Sequence, residues 1–224
     1  MARPTADLIR QLAANSAAVQ PLPRPWLRTA AWLAVCLLYL VLLDVAWPNE
    51  APPHIRIDGR FLIEQIAALA TGVAAAIAAF ASVIPGSPRR LTLAPFLPLS
   101  LWLLVLGQSC ARDWSASVLP PMLSHWGCFP ATVLAGLVPA MAMLVMLRRG
   151  APIAPRLTTA LAGLAVASLA NVGMRFVHPF DASLIVLAWH VLAIFGLSGL
   201  ATIFGNRLFT WPLERLSFVR SADL

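Results

Sequence analysis

The 224-residue chain is 60% hydrophobic and only 11% charged, against about 25% charged residues in an ordinary soluble domain. That much apolar surface has to be solvated by lipid, which excludes a water-soluble fold. The formal charge is +7 and every basic residue is Arg. No basic helix or aromatic RNA-binding signature accompanies that charge, so no direct nucleic-acid contact is expected. Arginines of a membrane protein collect instead on its cytoplasmic side.

Residues 1–25 are polar. Thr5 can cap a helix, and Asp7 follows in its first turn, where the helix dipole favours an acid. Leu8, Ile9 and Leu12 share one side, with Arg10 and Gln11 on the other. The spacing predicts a short amphipathic helix, marginal alone in water. Two readings stand: a tail with some helical bias, or a peptide that folds its Leu/Ile face into a partner's groove. Pro21–Pro25 ends the helix and makes a stiff spacer.

Trp26–Trp47 is the first expected span, with Trp at both interfaces and Cys36 as a packing residue. The apolar run is too long for a signal peptide. A loop, Pro48–Arg60, leads to the second span, Phe61–Pro85. There Ala68, Gly72 and Ala76 form a small-residue stripe that permits close helix packing. Glu64 is read as a snorkelling or interfacial acid, with a buried functional acid as the alternative. Leu91–Gly107 is the third span, containing Pro95 and Pro98, and Gln108–Cys128 is a polar loop. Phe129–Leu147 is the fourth span, kinked near Pro139. Leu157–Val177 is the fifth, with Thr159, Gly163, Ala167 and Asn171 as a helix-contact seam. Ser183–Gly205 is the sixth, with His190 inside it as a packing residue or a buried ligand.

The sequence therefore predicts an all-α, polytopic membrane protein. Residues 1–25 are a cytoplasmic tail, 26–205 a six-transmembrane-helix bundle, and 206–224 a cytoplasmic C-terminal tail. With both termini in the cytoplasm, twelve arginines fall inside and four (Arg56, Arg60, Arg112, Arg175) outside, a clear positive-inside asymmetry. Cys110, Cys128, His125, His178 and His54 then face outward.

No HExxH, nucleophile elbow, Walker loop or GxGxxG is present, so no enzyme is expected. Three cysteines are too few for a disulfide scaffold. Cys110 and Cys128 admit three readings. They form a disulfide in an oxidising compartment, they bind a soft metal such as Cu(I) or Zn with His125, Met122 or His178 as further ligands, or they have no special role. A small transporter or channel is the alternative function, but the midplane holds almost no charge and no clear repeat is visible.

The chain resembles the NrsF-type membrane anti-sigma factors, negative regulators of extracytoplasmic-function sigma factors in proteobacteria. The likeness is carried by DLIRQLA (Asp7–Ala13) ahead of Pro25–Trp26, and by Gly127–Cys128. The Pro139 helix leading to LRRGAP (Leu147–Pro152), ALAGLA (Ala160–Ala165), His178 and GNRLFTW (Gly205–Trp211) complete it. The resemblance implies a bacterial inner-membrane regulator whose tail binds the sigma factor through Asp7, Leu8, Ile9 and Leu12. It also implies sensing of a metal, such as copper, or of redox stress by the outward cysteines, Cys110 and Cys128, with His125 and His178 as further candidate ligands. The family expectation is a Cys directly after the outer-turn His. Here Pro179 follows His178, so the ligand set differs.

Overall fold

The computed structural model describes residues 5–14, 22–46, 59–115, 128–150 and 154–177. They form α1 (Thr5–Ala14), α2 (Pro25–Ala46), α3 (Gly59–Ala81), α4 (Arg89–Leu93), α5 (Phe96–Ser115), α6 (Cys128–Arg148) and α7 (Pro155–Val177). No strand occurs among the described residues. The reason is physical: inside lipid each backbone polar group needs a partner within the protein, and a helix supplies its own.

Four described stretches are long and apolar enough to cross a bilayer: Pro25–Leu43, Gly59–Ala81, Arg89–Gln108 and Pro155–Gly173. Leu134–Arg148 is a shorter apolar helix. These helices mark the chain as a membrane protein. The expected sixth span with His190, the C-terminal tail, and most of the loop after Trp47 lie outside the described residues.

α2 begins on Pro25, whose missing N–H costs nothing in a first turn. α3 is the central helix, packed by α2, α5 and α7, with α4 beside its end. Its Ala content favours the helix and keeps its surface flat. Ala68, Ala75, Ala76 and Ala79 are fully buried. A Cβ on Gly72 would stand 3.3 Å from Ser168 Cβ and 3.4 Å from the Ala165 carbonyl. The glycine thus lets α3 and α7 approach closely, as the small-residue stripe predicts. On α7 the seam is rotated from the expected one. Ala165 and Ser168 make the approach, Ala167 and Asn171 are buried beside it, and Thr159 and Gly163 are only half-buried.

The main core joins Trp32 and Cys36 of α2, Phe80 of α3, Met143 and Leu147 of α6, and Leu161, Ala165 and Leu169 of α7. Cys36 is the packing residue the sequence suggests. A second cluster sets Ala67 and Ala68 against Trp102 and Leu106, with Val172 alongside. The faces turned away are greasy: Leu37, Leu38 and Leu42 on α2 and Leu97, Leu101 and Leu104 on α5 are exposed. Exposed apolar faces of this extent suit a membrane protein.

Four expectations change. Gln108–Ser115 is helix rather than loop, because α5 continues through the polar residues. The third span is broken at Ala94–Pro95 into α4 and α5, where Pro95 cannot carry a helix bond. Glu64 is only 4% exposed, since α5 and α7 cover this part of α3, and it does not snorkel. Thr5 is the first residue of the helix rather than its cap.

Candidate functional site

The antiparallel order of the helices gives the bundle two ends. The starts of α2, α4, α5 and α7 meet the ends of α3 and α6 at one of them, called here the basic end. Gly150, just after α6, packs there on Val83 and Leu22, and Ser82 shares a 2.7 Å hydrogen bond with Thr158. The ends of α2, α5 and α7 and the starts of α3 and α6 form the opposite end.

The segment that follows α1 enters the bundle at the basic end. Leu22 is packed against the main core, so the chain is already docked before α2 begins. The eight steps from Ala14 to Leu22 keep α1 within about 28 Å of that anchor. α1 is the amphipathic helix the sequence predicts. Asp7 lies in its first turn and meets Arg10 at 3.9 Å, one turn along the same face. Both are exposed, so the pair contributes little stability. Ile9 is 60% exposed, a large apolar side chain on a helix with no core of its own. The side chains of Leu8 and Leu12 lie outside the described residues.

The cysteines lie at the opposite end. Cys110 is in the last two turns of α5, and Cys128 is the first residue of α6. Their side chains, His125 and His178 are outside the described residues, so the structure does not bring the four together or separate them. Among the described residues no group of three or more His, Cys, Asp or Glu is placed to hold a metal.

What connects the two ends is a set of contacts from α2 onto α6. Tyr39 donates its hydroxyl to the Leu134 carbonyl at 2.6 Å, Trp32 Nε1 donates to the Pro139 carbonyl at 3.0 Å, and Arg28 Nη2 donates to the Met146 carbonyl. Met146 is in the last turn of α6, where carbonyls lack a helical partner. The other two acceptors use a carbonyl's second lone pair. The three contacts fall at successive levels, so α2 is held along most of α6. Trp32 is fully buried and Arg28 is 5% exposed, and the Arg28 guanidinium also lies 4.5 Å from the Phe80 ring centroid, a cation–π distance.

Sequence reasoning placed Arg28 only as one inner charge among many. The available signal was spacing: Arg28, Trp32, Cys36 and Tyr39 follow at i, i+4, i+8 and i+11 on one helical stripe. A second buried polar set lies between α3 and α7. Thr71 and Ser168 donate back to their own helices at 2.7 Å. Both side-chain polar atoms of Gln65, and Nδ2 of Asn171, are buried without a hydrogen-bond partner.

No curated protein and no solved structure matches the chain. The model of the NrsF family, described as negative regulator of sigma F, matches residues 12–211. That interval takes in every bundle helix, both cysteines and the α2–α6 contacts. An amphipathic helix carried ahead of such a bundle, and a family match over most of its length, lead to one conclusion: the chain belongs to the NrsF family of negative regulators of sigma F.

Proposed function

We propose that the chain is a membrane anti-sigma factor that holds an extracytoplasmic-function sigma factor on α1, away from RNA polymerase. It releases that factor when Cys110 and Cys128 bind copper or another soft metal, or become oxidised. The observation that carries the regulator reading is the family match over residues 12–211. The arginine distribution supports an orientation in the bacterial inner membrane with α1 in the cytoplasm and the cysteines outside.

Exposure of Ile9 on an amphipathic helix supports α1 as the partner surface, with Asp7, Leu8 and Leu12 beside it. A helix this short folds firmly only against a partner's groove. The α2–α6 contacts support a route between input and output. α6 starts at Cys128 and ends under Arg28, and α2 continues the chain that carries α1. A shift of α6 along its axis therefore strains three contacts on α2. A signal acts only through different affinities for the two arrangements. Weakening sigma binding tenfold takes about 1.4 kcal/mol of coupling, which metal–thiolate bonds supply readily.

The test is a sigma-dependent reporter in cells carrying the full chain. Ile9→Asp or Leu12→Asp is expected to derepress it without inducer. If repression persists in both variants, α1 is not the output.

A further inference from the structure

Among the described residues, the bundle segments at the basic end hold positive charge with no acid among them. These segments, 22–29, 82–93, 146–150 and 154–159, carry seven arginines and no Asp or Glu. Most of those arginines are exposed, as expected beside lipid headgroups. Arg28 is different. It is 5% exposed, its Nη2 is spent on the Met146 carbonyl, and its ring contact with Phe80 covers one face. Its Nη1 is buried with no acceptor. Arg149, which is exposed, follows three residues after Met146, in the turn that closes α6 beside the Arg28 contact.

This arrangement is costly as it stands. A buried guanidinium donor without an acceptor forfeits its hydration. An anion between the two side chains would supply the missing acceptor. The planar fork of Arg suits phosphoryl oxygens. The depth is suitable as well: Arg28 is in the first turn of α2, and Trp26, two residues before it, is 55% exposed, as a side chain at the headgroup level would be.

We infer that Arg28 and Arg149 form a site for a phosphate-class anion at the basic end, between α2, α3 and α6. Arg149 is the exposed side, and Nη1 of Arg28, the donor left over while Nη2 holds Met146, is the buried side offered to a phosphoryl oxygen. The bound group bridges α2 to the end of α6, at the last of the three α2–α6 contacts. The inference does not depend on α1 binding a sigma factor.

The test uses the purified full chain in three bilayers: neutral phosphatidylcholine, the same lipid with phosphatidylglycerol, and neutral lipid with inorganic phosphate in the buffer. Bound lipid is read by native mass spectrometry and stability by thermal unfolding. Arg28 also holds Met146, so Arg28→Gln reports folding and binding together; Arg149→Gln isolates binding, and Arg89→Gln controls for diffuse surface charge. Wild type is expected to retain the anion. Arg149→Gln should weaken retention about tenfold, the scale of one charge-assisted hydrogen bond, and Arg89→Gln should change it less than about twofold. Retention only with phosphatidylglycerol identifies the source as a lipid headgroup, and stabilisation by inorganic phosphate as a free anion; either supports the site. Equal retention by wild type and Arg149→Gln overturns it. So does an equal loss in Arg89→Gln, or a wild-type chain that retains no anion in any of the three bilayers.

Discussion

Gly150 offers a sharp test of how the basic end is assembled. A Cβ added there would stand 2.8 Å from Val83 Cγ2, 2.9 Å from Val83 Cβ and 3.4 Å from Leu22 Cδ1. Carbon atoms pack best at about 3.5–4.0 Å, so Gly150→Ala forces roughly 0.7–1 Å of movement. Val83 Cβ is fixed to its backbone and cannot rotate away. The strain must therefore separate the turn after α6 from the end of α3 and from the segment leading into α2. Overpacking of this kind costs about 1–3 kcal/mol. Stiffening the unfolded chain returns about 0.4–1 kcal/mol, which leaves a net loss of about 1–2 kcal/mol. For a chain of this size the fall in Tm is roughly 2–8 °C. The assay is thermal unfolding of the purified full chain in a mild detergent. Gly107→Ala is the control, because nothing lies within 4 Å of a Cβ at that position. It should be neutral or stabilising by up to about 1 kcal/mol, from helix propensity. A Gly150→Ala protein as stable as wild type would refute the packing described here, as would a Gly107→Ala protein equally destabilised.

Three further outcomes are expected. Trp32→Phe removes the Nε1 bond to Pro139 and leaves a gap in a fully buried site, so it should cost about 1–3 kcal/mol; Trp26→Phe, at an exposed position, should stay within about 0.5 kcal/mol of wild type in the same melt. Ile9→Asp should leave the melting of the bundle unchanged while weakening sigma capture at least about tenfold, as loss of one apolar anchor does, measured by titrating the full chain with the factor. Cys110→Ser combined with Cys128→Ser should leave repression intact and abolish the reporter's response to copper; an unchanged response would demote both cysteines to structure.

Much of the bundle was legible in the sequence because lipid imposes one simple requirement. A run of about 20 apolar residues has to be a helix, and the starts expected at Trp26, Phe61 and Leu157 fall close to those observed, Pro25, Gly59 and Pro155. Packing partners were less legible. The Ala68–Gly72–Ala76 stripe announced a close contact, and it is one. On α7 several small residues compete, and only the rotation of the helix selects Ala165 and Ser168. Polarity misled at Gln108–Ser115, where the helix outlasts its apolar stretch because backbone hydrogen bonds do not depend on the side chains. It misled again at Glu64. Distance from a helix end suggested an interfacial acid, but burial depends on how many neighbours surround that helix, and α3 is central. Arg28 shows the same limit. A charge count assigns it to one side of the membrane and says nothing of Phe80 or Met146, residues 52 and 118 positions away. α1 was legible as a helix through its amphipathic spacing. The proposed sensing set of Cys110, Cys128, His125 and His178 remains a reading of residue chemistry and family resemblance.

Capture of the chain from its native membrane asks directly whether α1 holds a sigma factor. A C-terminally tagged protein is extracted in mild detergent, purified in one step, and its bound proteins are identified by mass spectrometry, beside an Ile9→Asp version expressed at the same level. The account predicts a sigma factor in stoichiometric amount with the wild-type chain and its loss with Ile9→Asp. A wild-type chain that brings down no sigma factor, or an Ile9→Asp chain that retains it undiminished, would contradict a regulator that holds its partner on α1.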